Sequence, residues 1–299
     1  MTRALVLGWP SVPGGEATAG DLITMEAVRS ILEDNGIRVD VATNVGFPWG
    51  VDVRTVPVDR YDHVVFVCGP LRMGPIAAML DRFPNARRIA VNVSVIDRSV
   101  AELFDVVIPR DGGEDELVRP DLSFLDPPTP VPVIGVVRAH EQPEYPASEH
   151  ERVHDLIRLV LASRTAATVD FDTRVHPAAD PFAAHARSSD EVCSLAARMD
   201  AVITTRLHGA VLSLAMGTPV VAIDPVRGGA KVAAQMEAIG WPHAFTVDSL
   251  TSEQLAQAIE WCLSEEARQL AREVAARAAS GLDRVRDELM DALGEEPPE

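Results

Sequence analysis

Apolar residues along this chain form short unbroken runs, separated by longer stretches with helical spacing. The first run, RALVLG at residues 3–8, ends in glycine and predicts a buried strand. A Gly- and Pro-rich loop, WPSVPGGEATAG, follows it. From Asp21 onward, Leu22, Met25, Val28, Ile31 and Leu32 share one helical face, and Asn35-Gly36 closes the helix. IRVDVAT is the next strand, which completes a βαβ unit. Strands are predicted at HVVFVCG (63–69) and RRIAVNVS (87–94), with a helix over Met73–Phe83 between them. VAELFDVVIPRD reads as a short helix and then a strand. Such alternation predicts a parallel sheet covered on both faces.

Residues 126–132, DPPTPVP, interrupt the pattern, because prolines at this density fit neither a helix interior nor a central strand. Beyond them it restarts. PVIGVVR, TAATVDF, AVITT and TPVVAID are strands, and EHERVHDLIRLVLA, SDEVCSLAARM, Leu207–Met216 and GGAKVAAQMEAI are the helices that alternate with them. TSEQLAQAIEWCLS opens with an N-terminal cap signal. A last long helix runs from about Glu265 to Leu293, with a break near Ser280-Gly281. The expected architecture is α/β: a Rossmann-like domain over 1–128, a second over 129–299, and a ligand site in a cleft between them. A single large doubly wound domain is the competing architecture.

Composition narrows the function classes. Aromatics are only 5% of the 299 residues, so the cores must be built from small and branched side chains, which suits buried parallel strands. The formal net charge is −18 with no basic run, which argues against a nucleic-acid partner. Any positive pocket on such a chain is a local exception to the global sign. Cys68, Cys193 and Cys262 are too far apart for a disulfide framework or a metal cluster, and HEQPE at 140–144 departs from HExxH, so no metal is expected. The N-terminus lacks a signal-peptide pattern and no run is long enough to span a membrane, so a cytoplasmic location is expected. The C-terminal helix either packs across both domains or serves a homodimer.

The segment DAVITTRLHGAVLSLAMGTPVVAIDPVRGGAK (200–231) concentrates the chemistry. Parallel α/β sheets bind ligands at the carboxyl ends of their strands, and the helix N-terminus that follows attracts anions. Arg206 adds a two-pronged donor there, His208 a proton donor or acceptor, and Gly209 room for close approach. The alternative is that Arg206 makes an inter-element salt bridge and His208 caps a carbonyl. Residues 226–229, VRGG, suggest a phosphate-facing turn with Lys231 beside it; a surface lysine paired to an acid is the alternative. Arg138 ends another strand and is a further candidate for anion contact. In the first half, Gly20-Asp21 precedes a helix, where Asp21 either caps it or meets sugar hydroxyls. Cys68-Gly69-Pro70 predicts a tight turn lining the cleft. Arg110-Asp111 also stands at a strand's carboxyl end, as cleft residues or as a surface pair. The loop from Gly8 to Gly20 does not match the dinucleotide fingerprint.

The chain resembles the polysaccharide pyruvyl transferase family. The resemblance is carried by DAVITTRLHGAVLSLAMGTPVVAIDP with Lys231, and more weakly by Gly20-Asp21, Cys68-Gly69, Arg110-Asp111, DLSFL at 121–125 and Arg138. It implies a fold similar to GT-B glycosyltransferases, with phosphoenolpyruvate as donor, a carbohydrate diol as acceptor and a pyruvate ketal as product, with no other cofactor. It implies Arg206, Arg138, Lys231 and Gly209 on the donor; His208, Asp21 and Asp111 in acid–base roles; and Gly20, Cys68, Gly69 and Arg110 on the acceptor side. The glycine loop after the first strand is longer than the family's, and the middle glycine run is reduced to Cys68-Gly69-Pro70. The competing functions are a glycosyltransferase using a nucleotide-activated sugar and a catalytically silent carbohydrate-binding relative.

Overall fold

The computed structural model describes residues 2–12, 14–44, 50–72, 74–113, 117–140, 144–145, 147–180 and 185–294. The chain divides into two compact units, Met1–Thr129 and Pro130–Glu299, and the division falls inside the proline segment.

In the first unit the chain forms β1 (Arg3–Gly8), α1 (Ala19–Asp34), β2 (Arg38–Thr43), β3 (Val51–Asp52), β4 (His63–Val67), β5 (Pro70–Leu71), α2 (Pro75–Leu80), β6 (Arg87–Val95), α3 (Arg98–Ala101) and β7 (Val106–Asp111). The strands form one sheet in the order β3-β2-β1-β4-β6-β5, with β7 also pairing with β6. All the pairings are parallel. Alternate residues of β1 serve opposite faces. Leu5 and Leu7 pack with Phe66, Ile76 and Phe83, whereas Val6 packs with Met25, Val28 and Val65 under α1.

The second unit continues with β8 (Val133–Val137), α4 (His150–Ala162), β9 (Ala167–Asp170), α5 (Ser189–Ala196), β10 (Ala201–Thr204), α6 (Leu207–Ala215), β11 (Val220–Asp224), α7 (Lys231–Ile239), β12 (Ala244–Thr246), α8 (Ser252–Cys262), α9 (Glu265–Gly281) and α10 (Asp283–Leu293). Its parallel sheet has the order β12-β11-β10-β8-β9. Ile134, Ile203 and Ile223 pack against α4 and α8 through Ile157 and Ile259. Val202, Val220 and Ala222 face α6, α7 and α9 through Ala210, Met236 and Val274. Each unit is thus Rossmann-like by itself, with helices on both sheet faces.

Several local expectations are corrected. Helix α1 starts at Ala19, not Asp21, because Thr18 is the N-cap and Asp21 closes a capping box from the third helical position. Helix α2 covers only Pro75–Leu80, and Met73 lies outside the described residues. Strand β4 stops at Val67, since Cys68 turns into the left-handed region (φ 63°) and Gly69 follows it there (φ 71°). Strand β12, which the sequence pattern does not announce, pairs with β11 through only three residues. The break in the C-terminal helix falls at Leu282, next to the predicted Ser280-Gly281. Among the described residues, no helix is long and apolar enough to cross a membrane.

Candidate functional site

Both sheets contain a topological switch point, where consecutive connections leave a strand on opposite sides and a crevice opens at the carboxyl ends. In the first unit it lies between β1 and β4, and in the second between β8 and β10. The candidate residues gather at these two places.

At the first switch point, a pocket of about 540 Å³ is lined by Gly20, Asp21, Cys68, Gly69 and Arg110, together with Trp9, Glu16, Thr18 and Asp121. The chain leaves β1 through a 3-10 turn, Trp9–Ser11, which lays the indole across the Cys68-Gly69 turn. Gly69 is required there: besides its positive φ, a Cβ would sit 1.8 Å from Trp9 Nε1. Cys68 is buried, and burial pushes its thiol pKa up, so it stays a neutral SH. Its Sγ accepts from Asn92 Nδ2 at 3.4 Å; Asn92 is itself a left-handed non-glycine residue (φ 58°) at an irregularity in the β6–β7 pairing. Two such residues in contact mark stored backbone strain at this pocket.

Arg110 uses three of the five N–H donors of a guanidinium within the chain. Its Nε donates to Asp111 at 2.9 Å, its Nη1 to Asp121 at 2.7 Å and its Nη2 to Ser94 Oγ at 2.7 Å. Asp111 also accepts from Ser94 Oγ at 2.9 Å, so it braces Arg110 from behind. Asp121 accepts from Arg110, from Asn92 Nδ2 and from the Ser123 N–H. Burial opposes its charge, but these donors prevail and hold its pKa at about 2. Asp21 accepts from the Thr18 N–H and hydroxyl, both at 2.9 Å, so it is a capping residue that also faces the pocket.

At the second switch point, Thr204 and Thr205 tie β10 to β8. Thr204 Oγ1 donates to the Val137 carbonyl at 2.9 Å, and Thr205 Oγ1 accepts from the Ala139 N–H at 2.8 Å. Arg138 forks onto Asp170 (Nη2–Oδ2 2.6 Å, Nε–Oδ1 3.2 Å). Arg206 is the N-cap of α6, and its buried Nε lies 3.3 Å from Asp172 Oδ1 without hydrogen-bond alignment. The inter-element salt bridge is therefore present. The Nη groups of Arg206 make no hydrogen bond to the described residues. Burial alone would raise the pKa of Asp172, but Arg174 and Arg206 outweigh it and hold the carboxyl below the usual range. Lys231 opens α7 with its Nζ 5.0 Å from the centre of the Tyr145 ring.

The N-termini of α6 and α7 differ in a way that decides where an anion fits. Asp224 is buried at the end of β11 and fills the start of α7. Its Oδ2 accepts from the N–H groups of Ala230, Val232 and Ala233 at 2.8–3.0 Å, and its Oδ1 from Val226. The Arg227, Gly228 and Gly229 amides donate to Ala147 O, Asp248 Oδ2 and Val226 O. The expected phosphate-facing turn at 226–229 is thus corrected: the amides of the four turn residues are satisfied within the chain. Helix α6 has no side-chain cap, and the Leu207 and His208 N–H groups have no partner among the described residues. Its N-terminus is open beside a guanidinium.

His208 is exposed and lines a groove of about 730 Å³ formed by α6, α7 and α9, whereas Arg206 reaches toward Asp172 beyond β9. The two residues therefore share a helix start but face different sides. Gly209 is buried, and a Cβ there would lie 2.3 Å from Thr204 Oγ1 and 2.9 Å from Val137 Cγ1. It provides helix-on-strand contact in place of the ligand approach expected from sequence. The residues that the sequence did not single out are Trp9, Glu16, Asn92, Asp170 and Asp172, and Asp121 was marked only as the start of DLSFL. An aromatic directly after the first strand and an aspartate two residues after another strand were the available signals.

A family model described as polysaccharide pyruvyl transferase matches residues 118–225. The matched segment includes most of the stretch that carries the resemblance read from the sequence. The segment carries Arg138, Arg206, His208 and Gly209 and ends before Lys231; of the first pocket it includes only Asp121. No curated protein matches the chain. Similar solved structures include the calicheamicin glycosyltransferase CalG4 (14% identity, TM-score 0.36, 99% of each chain). Others are the S. aureus MnaA–UDP complex (12%, 0.33, 100% of each) and E. coli ADP-heptose LPS heptosyltransferase II (13%, 0.29, 89% of this chain and 99% of that one). The donors in these names belong to those proteins.

Proposed function

We propose that this protein is a transferase acting on sugars, with phosphoenolpyruvate as the donor and a pyruvate ketal as the product. The observation that carries the reading is the open N-terminus of α6 beside Arg206, at a switch point inside the family-matched segment. Arg138 and Lys231 stand on the same sheet edge. The donor's phosphate suits the Leu207 and His208 amides and the Arg206 fork, and its carboxylate suits Arg138, which would exchange Asp170 for the ligand.

The reaction needs a proton at the methylene carbon of the donor. That proton makes the neighbouring carbon electrophilic. One acceptor hydroxyl attacks it and loses its proton, the C–O bond to phosphate breaks, and inorganic phosphate leaves. A second hydroxyl then closes the ketal and loses its own proton. His208 is the proposed proton donor: its exposed ring has no partner among the described residues, and it would turn from the α6–α7–α9 groove toward a donor held at the helix start. Asp21 is the proposed base toward the acceptor, and Asp111 acts by holding Arg110.

On charge alone the same edge suits the diphosphate of a nucleotide-activated sugar, which makes a glycosyltransferase the second reading. Calorimetric titration separates the two. Phosphoenolpyruvate is expected to bind and to lose binding in Arg206→Ala. Binding of a nucleoside diphosphate sugar alone replaces the first reading with the second. Silence toward both favours a non-catalytic relative.

A further inference from the structure

We infer that the pocket at the first switch point is a subsite for a sugar ring that carries no acid group, with Trp9 as its stacking platform. The inference rests on the transferase reading above, and deepens it by fixing the chemical class of the acceptor.

The volume of about 540 Å³ is ordinary for a small-molecule site, within the usual range of about 300–1,000 Å³. Trp9 lines it while its other side packs on the core of the unit, so the indole is held rigidly at the wall. A flat apolar ring fixed beside carboxylates is the surface a sugar uses, with its C–H face on the ring and its hydroxyls on the acids. Trp9 Nε1 is buried and has no hydrogen-bond partner among the described residues, which is uncommon for an indole N–H. It packs directly on Gly69, where even a Cβ would lie 1.8 Å away, so only the lack of a side chain lets the indole edge rest there. A small turn of the indole off Gly69, driven by a stacked ring, would bring that N–H to a ligand oxygen.

Charge then selects among sugars. Glu16, Asp21 and Asp121 line the pocket, and the one cation among its described lining residues, Arg110, is already paired with two carboxylates, Asp111 and Asp121, and bonded to Ser94. Asp121 stays ionised at any ordinary pH because its donors hold its pKa at about 2. A uronate or a phosphorylated sugar would meet three carboxylates against one guanidinium that two aspartates already neutralise. Neutral and amino sugars carry no charge for these carboxylates to repel and offer them hydroxyl or ammonium donors. Repulsion of the wrong partner is a standard route to specificity.

Saturation-transfer NMR on the full chain tests this with methyl glycosides of the same two ring configurations: galactose and glucose, their C2-amino forms galactosamine and glucosamine, and their C6-oxidised forms galacturonate and glucuronate. The neutral and amino sugars are expected to bind, and the uronates at least tenfold more weakly. Trp9→Ala abolishes the signal, and Trp9→Phe, which keeps a ring but lacks the N–H, weakens it. Glu16→Lys, on the exposed rim, admits the uronates. Uronates binding as well as their neutral partners, no response to Trp9→Ala, or silence across the whole panel would overturn the inference. Phosphoenolpyruvate is titrated into the same samples. If it binds Trp9→Ala undiminished while no sugar binds the wild type, the acceptor inference fails and the donor reading stands. If sugars bind and phosphoenolpyruvate does not, the donor reading fails and the sugar site stands.

Discussion

The two switch points are built on the same plan and carry opposite chemistry. In the first unit, β1 and β4 end in an aromatic, a buried thiol and a left-handed turn, ringed by carboxylates. In the second, β8 and β10 end in two arginines and lead to a helix start that no side chain caps. Parallel sheets of similar topology create a crevice in both places; the residues just past the strand ends decide what each crevice attracts. On a chain with formal charge −18, the second crevice is the local exception and the first follows the global sign.

The largest expected effect comes from breaking the basic crevice. Arg206→Ala should weaken phosphoenolpyruvate binding by about 100-fold, as expected for truncating a desolvated charge, and leave sugar binding in the first unit unchanged. His208→Gln should lower turnover while donor affinity stays within a few-fold, which separates the proton donor from the anion clamp. Calorimetry and a phosphate-release assay read the two.

Next come substitutions that separate packing from binding within the second unit. Asp224→Ala strips the cap from α7 and should cost about 3 kcal/mol, since a buried carboxylate loses its four backbone donors. Gly209→Ala should cost about 1–3 kcal/mol by overpacking against Thr204 and Val137. Urea unfolding of each variant measures both, and an unchanged midpoint in Gly209→Ala would return that glycine to the ligand.

The smallest expected effect is a difference in acid response. The pKa of His154 is lowered by burial in α4, so the unfolded chain takes up the proton first. Stability of the second unit should therefore begin to fall as pH drops below about 6.5, the unfolded imidazole value. Asp121, at about 2 when folded, supports the first unit at neutral pH and loses that contribution only as pH falls from about 4 toward its folded value. Hydrogen exchange at pH 7.5, 6 and 5 should show the second unit loosening first, and His154→Gln should flatten that response.

The strand ends were legible because buried runs stop abruptly: AVIT stops before the polar Thr205-Arg206, and RALVLG ends in a glycine that opens a Gly- and Pro-rich loop. That legibility located Arg206, Arg138, Cys68 and Arg110. The contacts that close each crevice were not legible, because they join residues far apart in the chain. Trp9 meets Gly69, Asn92 meets Asp121, and Arg206 meets Asp172. The left-handed conformations of Cys68 and Asn92 leave no mark in sequence, since neither is glycine. The Gly228-Gly229 turn misled for a related reason. Its glycines suggest free amides, but Asp248 and Val226 accept from these two, while Asp224 fills the helix start that follows.

The division of labour between the crevices is tested most directly by hydrogen–deuterium exchange on the intact protein, with and without saturating phosphoenolpyruvate. Protection is expected at the Leu207 and His208 amides and in the segment around Arg138, with exchange at residues 9–12 and 67–70 unchanged. Protection at Trp9, Cys68 and Gly69 with none at the start of α6 would place the anion in the acidic crevice and contradict that division.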